Sequence, residues 1–144
     1  MALIGGGGAG NVAGGANPTG TSSGLNHIGN HVYAYSGMIA ANTNAQTCLN
    51  FNTGNEYSLV KVTLTGITEN LSNLGNGSNS VYTIKINSED VLFVKIGTDQ
   101  EDSPTLEVVP LLLEPFSKVE ISVVSGATSA DLKGSVSIVG RVYA

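Results

Sequence analysis

Val60, Val62 and Leu64 alternate with Lys61, Thr63 and Thr65, and the same period of two returns at Tyr82, Ile84 and Ile86, at Leu92, Val94 and Ile96, at Val119, Ile121 and Val123, and at Val136, Ile138 and Val142. Successive side chains of an extended chain point to opposite sides, so this period puts apolar residues on one face and polar residues on the other. Many of the apolar positions are β-branched, which suits a pleated, half-buried surface. No stretch holds a 3.6-residue period for more than a turn or two, and none carries the paired start and stop signals of a helix. The chain is therefore expected to be all-β, with one dry face on each strand.

The residues between these runs are turn formers. Tyr33, Tyr35 and Ile39 are expected to share one face of a first strand, and residues 47–52 form a second, closed by Asn52-Thr53-Gly54-Asn55. Residues 69–80, rich in asparagine, serine and glycine, read as a long loop. Asn87 to Asp90 is a tight connection that makes a hairpin of the strands around it. Residues 97–104 form an acidic loop. Residues 106–113 are apolar without alternation and bracketed by Pro104, Pro110 and Pro115, which predicts an edge strand interrupted at Pro110. The last strand covers residues 132–143. About eight antiparallel strands at this spacing suit a single jelly-roll-like β-sandwich, with seven- and nine-stranded arrangements fitting nearly as well.

Charge divides the chain. The first charged residue is Glu56, whereas a soluble protein normally spreads charge over its whole surface. Within the charge-free part, residues 5–24 are crowded with glycine, alanine, asparagine, serine and threonine, a composition that buries too little apolar area to offset its own ordering entropy. Two readings fit: a disordered tail, or an extended arm ordered against a partner. Taken as an arm, it spans residues 1–30 ahead of a body at 31–144, with Leu3, Ile4, Gly7, Asn11, Val12, Asn17, Leu25, His27 and Ile28 as its contact residues. Residues 32–52 read as strands inside the sandwich, uncharged because their faces are buried or shared between subunits.

A net charge of −5 with six basic residues argues against a nucleic-acid partner, because phosphate binding depends on clustered lysine and arginine. Met1-Ala2-Leu3-Ile4 runs straight into glycine, without the positive and apolar regions of a secretory signal. No run approaches the roughly 20 apolar residues of a helical membrane span. Synthesis in a cytoplasm and no membrane partner are the expectations.

Candidate chemistry is sparse. Gly5, Gly7 and Gly10 match a dinucleotide-binding spacing but lack the flanking strand and helix that give it meaning, so no cofactor is expected. His27 and His31 would share one side of a helix as metal ligands, yet Gly29 and Asn30 lie between them and a strand follows; a polar junction between arm and body is the better reading, and no metal is expected. Asp99, Glu101 and Asp102 carry the oxygen ligands calcium prefers without its usual spacing, as a solvated acidic loop would. Cys48 is the sole cysteine, which rules out an intramolecular disulfide and reads as a small buried apolar residue. The two histidines sit at the arm junction and no G-x-S-x-G turn occurs, so no enzyme is expected. Tyr33, Tyr35, Tyr57, Tyr82 and Tyr143 are read mostly as core or interface residues whose hydroxyls reach a partner.

Where Pro110-Leu111-Leu112-Leu113-Glu114-Pro115-Phe116 leads into Lys118-Val119-Glu120-Ile121, and where the chain closes on Gly140-Arg141-Val142-Tyr143, the body resembles small β-sandwich proteins of tailed-phage virions. The similarity is one of organisation: a Gly/Ala/Asn-rich leader, then Tyr33-Ala34-Tyr35-Ser36-Gly37, a compact body and a terminal strand. It implies a head decoration or cement protein or, as the less favoured role, a vertex or fibre component. An arm without lysine or arginine favours the outer capsid surface, and a symmetric homo-oligomer, with a trimer as the expected size, is the form expected to bind there. Its partners would be itself and the major capsid protein or other virion subunits. The rival expectation is a soluble carbohydrate- or receptor-binding sandwich module.

Overall fold

The computed structural model describes residues 25–68, 79–97, 106–125 and 132–143, and these form ten strands without a helix. In chain order they are β1 (Asn26–Ile28), β2 (His31–Tyr35), β3 (Ile39–Ala40), β4 (Gln46–Asn52), β5 (Tyr57–Thr68), β6 (Asn79–Ile86), β7 (Glu89–Gly97), β8 (Leu106–Leu113), β9 (Lys118–Ser125) and β10 (Leu132–Tyr143). One sheet runs β1-β2-β10-β5-β8, with β3 also on β10, and the other runs β4-β9-β6-β7, all pairs antiparallel.

Eight of these strands make the jelly roll, and β1 and β3 are short additions to it. The pairings β2·β10, β4·β9, β5·β8 and β6·β7 match the first half of the chain to the second in mirror order. The chain is thus one long hairpin, bent at the β6–β7 turn and wrapped so that successive pairs fall alternately in the two sheets. That turn is tighter than the sequence suggests. Asn87 and Ser88 alone make it, at φ 54° and 72°, the left-handed pair of a type I′ hairpin.

The core lies between the sheets and comes from the alternating positions. Val60, Val62, Leu64, Val136 and Ile138 from one sheet meet Tyr82, Ile84, Ile96, Val119, Ile121 and Val123 from the other, all buried. β4 departs from strict alternation: its register on β9 shifts between Thr47 and Leu49, and this bulge turns both Cys48 and Leu49 inward. Burial pushes the Cys48 thiol up to about 12, as befits a packing residue and not a nucleophile.

Tyr82 crosses the sandwich. Its hydroxyl donates to the carbonyl oxygen of Thr65 on the opposite sheet, where Gly66 and Gly134 pair across β5 and β10. A Cβ at Gly134 would sit 2.1 Å from that hydroxyl oxygen, so the absent side chain is the seat of the tyrosine. Two other buried polar residues tie the connections together. Thr53 donates through its hydroxyl to the Glu114 carbonyl at 2.7 Å and accepts from Ser117 N at 2.8 Å. Ser36 accepts from Val136 N at 2.8 Å and donates to the Gly37 carbonyl at 2.7 Å.

Some local expectations change. β8 lies at a sheet edge as expected but runs unbroken through Pro110, because an edge strand has a side on which no donor is needed. Tyr33 and Tyr35 share one face of β2, the outer one, while Ile39 belongs to a separate short strand and Val32 and Ala34 face the core. Leu25 is buried and Asn26–Ile28 pair with β2, so the last residues assigned to the arm lie within the sandwich.

Candidate functional site

The outer face of the six-stranded sheet is the surface that stands out. Register places residues across it in rows. One row is Ile28, His31, Arg141, Leu59 and Leu112; the next is Asn26, Tyr33, Val139, Lys61 and Pro110; a third is Tyr35, Ser137, Thr63 and Val108. Tyr143 and Tyr57 pair beside the first row. The alternation that sends Val60, Val62, Ile138 and Val32 inward leaves these residues outward, all but Asn26, which is buried and donates through Nδ2 to the Tyr33 carbonyl, so the same period of two that builds the core also builds this face.

On a sheet with one wet side these outward positions are ordinarily polar. Here Leu59, Val139 and Leu112 are 49%, 51% and 60% exposed, and Ile28, Tyr35, Tyr57, Leu106, Val108 and Tyr143 are exposed as well. Single exposed apolar residues are unremarkable; a contiguous field of them across several strands marks a contact surface. Tyr33 and Tyr35 stack loosely at one side, with ring centroids 5.6 Å apart and planes at 41°. Lys61 and Arg141 rise from the two central strands and find no ion-pair partner among the described residues.

The second sheet presents a different exterior. Lys85, Asp90, Lys95, Lys118 and Glu120 carry alternating charge there, and Lys85 Nζ lies 3.5 Å from Asp90 Oδ1. Phe93 and Val91 on edge strand β7 are exposed apolar exceptions. A small polar depression of about 120 Å³ at the β6–β7 turn is lined by Lys85, Ser88, Lys118 and Glu120.

The two histidines do not converge. His27 pairs with Val32, a core-facing position, and His31 with Ile28 and Arg141 on the outer face, so the four-residue spacing separates them across the sheet. Partial burial lowers the His27 pKa, opposed by a hydrogen bond to the Leu25 backbone and by the Glu56 carboxylate. Among the described residues no three His, Cys, Asp or Glu side chains come together as metal ligands would. Of the proposed arm contacts, Leu25 is buried in the core, His27 is half-buried and Ile28 is exposed. Leu3, Ile4, Gly7, Asn11, Val12 and Asn17 lie outside the described residues, as do Asp99, Glu101 and Asp102.

Sequence reasoning left the tyrosines divided between core and interface and so did not single out the outer face. Only Tyr82 is a core residue; Tyr35, Tyr57 and Tyr143 are exposed and Tyr33 is half-buried. The signal was present in the alternation itself, since Tyr57, Leu59 and Lys61 are in phase with each other and out of phase with Val60, Val62 and Leu64.

No family model matches this sequence, and no curated protein matches it. Solved structures give weak likenesses. One is infectious bursal disease virus, Gx strain, at 12% identity over 76% of this chain and 31% of that chain, TM-score 0.46. Another is the VP2 subviral particle of infectious bursal disease virus, at 12% identity over 77% and 32%, TM-score 0.45. The Gt strain of the same virus gives 14% identity over 77% and 31%, TM-score 0.38. The chain spans about a third of the length of these chains. At such scores the likenesses carry no weight for what the protein does.

Proposed function

We propose that this chain is a non-enzymatic virion structural protein that binds a capsid lattice as a symmetric oligomer and stabilises it, with residues 1–24 as an arm that bridges neighbouring subunits. The observation that carries the reading is the tyrosine-rich outer face of the six-stranded sheet, where exposed Tyr35, Tyr57, Leu59, Leu112, Val139 and Tyr143 lie on neighbouring strands, as at a contact surface. The organisational resemblance to tailed-phage head proteins supplies the setting. A place on the outer capsid surface fits an arm without lysine or arginine, since arms that meet a packaged genome are rich in both. Twenty-four extended residues reach about 80 Å at roughly 3.3 Å each, enough to cross a neighbouring subunit.

The test is removal of Ala2 to Gly24 from the chain. The shortened protein is expected to keep the strand signature of the full chain by circular dichroism and to lose tight binding to the particles with which the full chain co-purifies. Undiminished binding would remove the arm from the mechanism, and absence of the full chain from purified virions would remove the virion role.

A second reading has one observation in its favour. Exposed tyrosines flanked by Lys61 and Arg141 resemble a platform on which sugar rings stack. Selective retention of particular glycans on an array by the full chain would favour a carbohydrate-binding module instead.

A further inference from the structure

We infer that the outer face of the six-stranded sheet is where copies of this chain meet, and that they meet head to tail, with the β8 edge of one copy seated on the centre of the same face of the next. This rests on the proposed symmetric oligomer and names the surface that forms it.

The charges select the mode. Lys61 and Arg141 stand exposed on the two central strands, β5 and β10. Glu114 stands exposed just after the edge strand β8. Glu107 pairs with inward-facing Leu64, which turns it to the other side of β8 and leaves it out of the contact. Two identical faces related by a two-fold axis through their centre, at β5 and β10, would bring Lys61 and Arg141 toward their own copies in a drying interface, where like charges cost most. Displacing one copy so that its β8 edge lies over β5 and β10 of its neighbour brings the Glu114 carboxylate, at the end of that edge, to the cations. The apolar residues Leu112 and Val108 of the edge then cover Leu59 and Val139.

Pro110 explains why the edge makes this contact with side chains. It lacks an N–H and lies midway along β8, which discourages main-chain addition of a neighbour's strand. What remains sticky on β8 is its row of exposed apolar side chains. Residues 1–24 as the occupant would leave Lys61 and Arg141 buried without a counter-charge, since the arm has none. A head-to-tail contact must close into a ring or run on as a filament, and a closed ring is what a symmetric oligomer requires.

Light scattering on the full-length chain and its variants, each checked for folding by circular dichroism, tests the inference. The wild-type protein is expected to be a closed oligomer of 14.7 kDa chains. Leu112→Glu, and separately Lys61→Glu, should each shift the mass to that of one chain, and the double variant Lys61→Glu with Glu114→Lys should recover the oligomer. Folded variants that all keep the wild-type mass would overturn the head-to-tail contact while leaving the oligomer standing. A wild-type protein that is a monomer would overturn the oligomer itself.

Discussion

Two glycines of β10 show how far single atoms constrain this sandwich. At Gly134 an added methyl meets the end of the Tyr82 side chain, a hydroxyl oxygen 2.1 Å away; at Gly140 it meets main chain, the Leu59 carbonyl oxygen at 2.2 Å and Val60 Cα at 2.7 Å. A side chain can shift where a paired strand cannot. Gly134→Ala is therefore expected to cost about 1–3 kcal/mol, the usual penalty of overpacking, and Gly140→Ala more, measured by urea unfolding. The Cys48 thiol adds a pH dependence. Its pKa is raised to about 12 from a reference of 9.0 because burial disfavours the thiolate. Above pH 9 the unfolded chain sheds this proton and the folded chain keeps it, so the contribution of Cys48 is fully present below pH 9 and is lost as pH rises toward about 12. Stability measured from pH 8 to 11 should fall, and Cys48→Ala should flatten the fall. Buried Tyr82, shifted upward for the same reason, adds to the slope that remains.

At the scale of elements, the strands with clean alternation were the legible ones. β5, β6, β7, β9 and β10 follow the periodicity of Val60, Tyr82, Leu92, Val119 and Val136 and their partners, because a sheet with one dry face imposes that period directly on the sequence. What was not legible depends on distant chain. The bulge in β4 that buries Cys48 beside Leu49 is set by its register on β9, and the continuity of β8 through Pro110 depends on its place at the edge. β1 was hidden because Asn26, His27 and Ile28 have no periodicity of their own and pair only through the Gly29-Asn30 turn, in which Gly29 takes φ 59°. The β6–β7 turn offers a direct check. Ser88 holds φ 72°, a value that glycine adopts without strain. Ser88→Gly should stabilise the protein by roughly 0.5–1 kcal/mol, seen as a higher unfolding midpoint.

For the molecule as a whole, the charge-free opening of the sequence and the apolar outer face describe one design. Strands β1 to β4 carry no lysine, arginine, aspartate or glutamate, yet they are built into a sandwich whose core they help to form through Val32, Ala34, Leu49 and Phe51. Their uncharged outward residues join Leu59, Val139 and Leu112 in a face that water covers poorly, while the other sheet keeps the mixed charge of a free surface. The jelly roll itself was visible in strand number and spacing; the unequal exteriors of its two sheets were not, because they depend on which strands become neighbours. Hydroxyl-radical footprinting of the assembled full-length protein measures this difference most directly. Protection of Tyr57 and Tyr143, to the level of buried Tyr82, beside free labelling of Phe93 on the second sheet, is the predicted result. Labelling of Tyr57 and Tyr143 as readily as Phe93 would contradict the account.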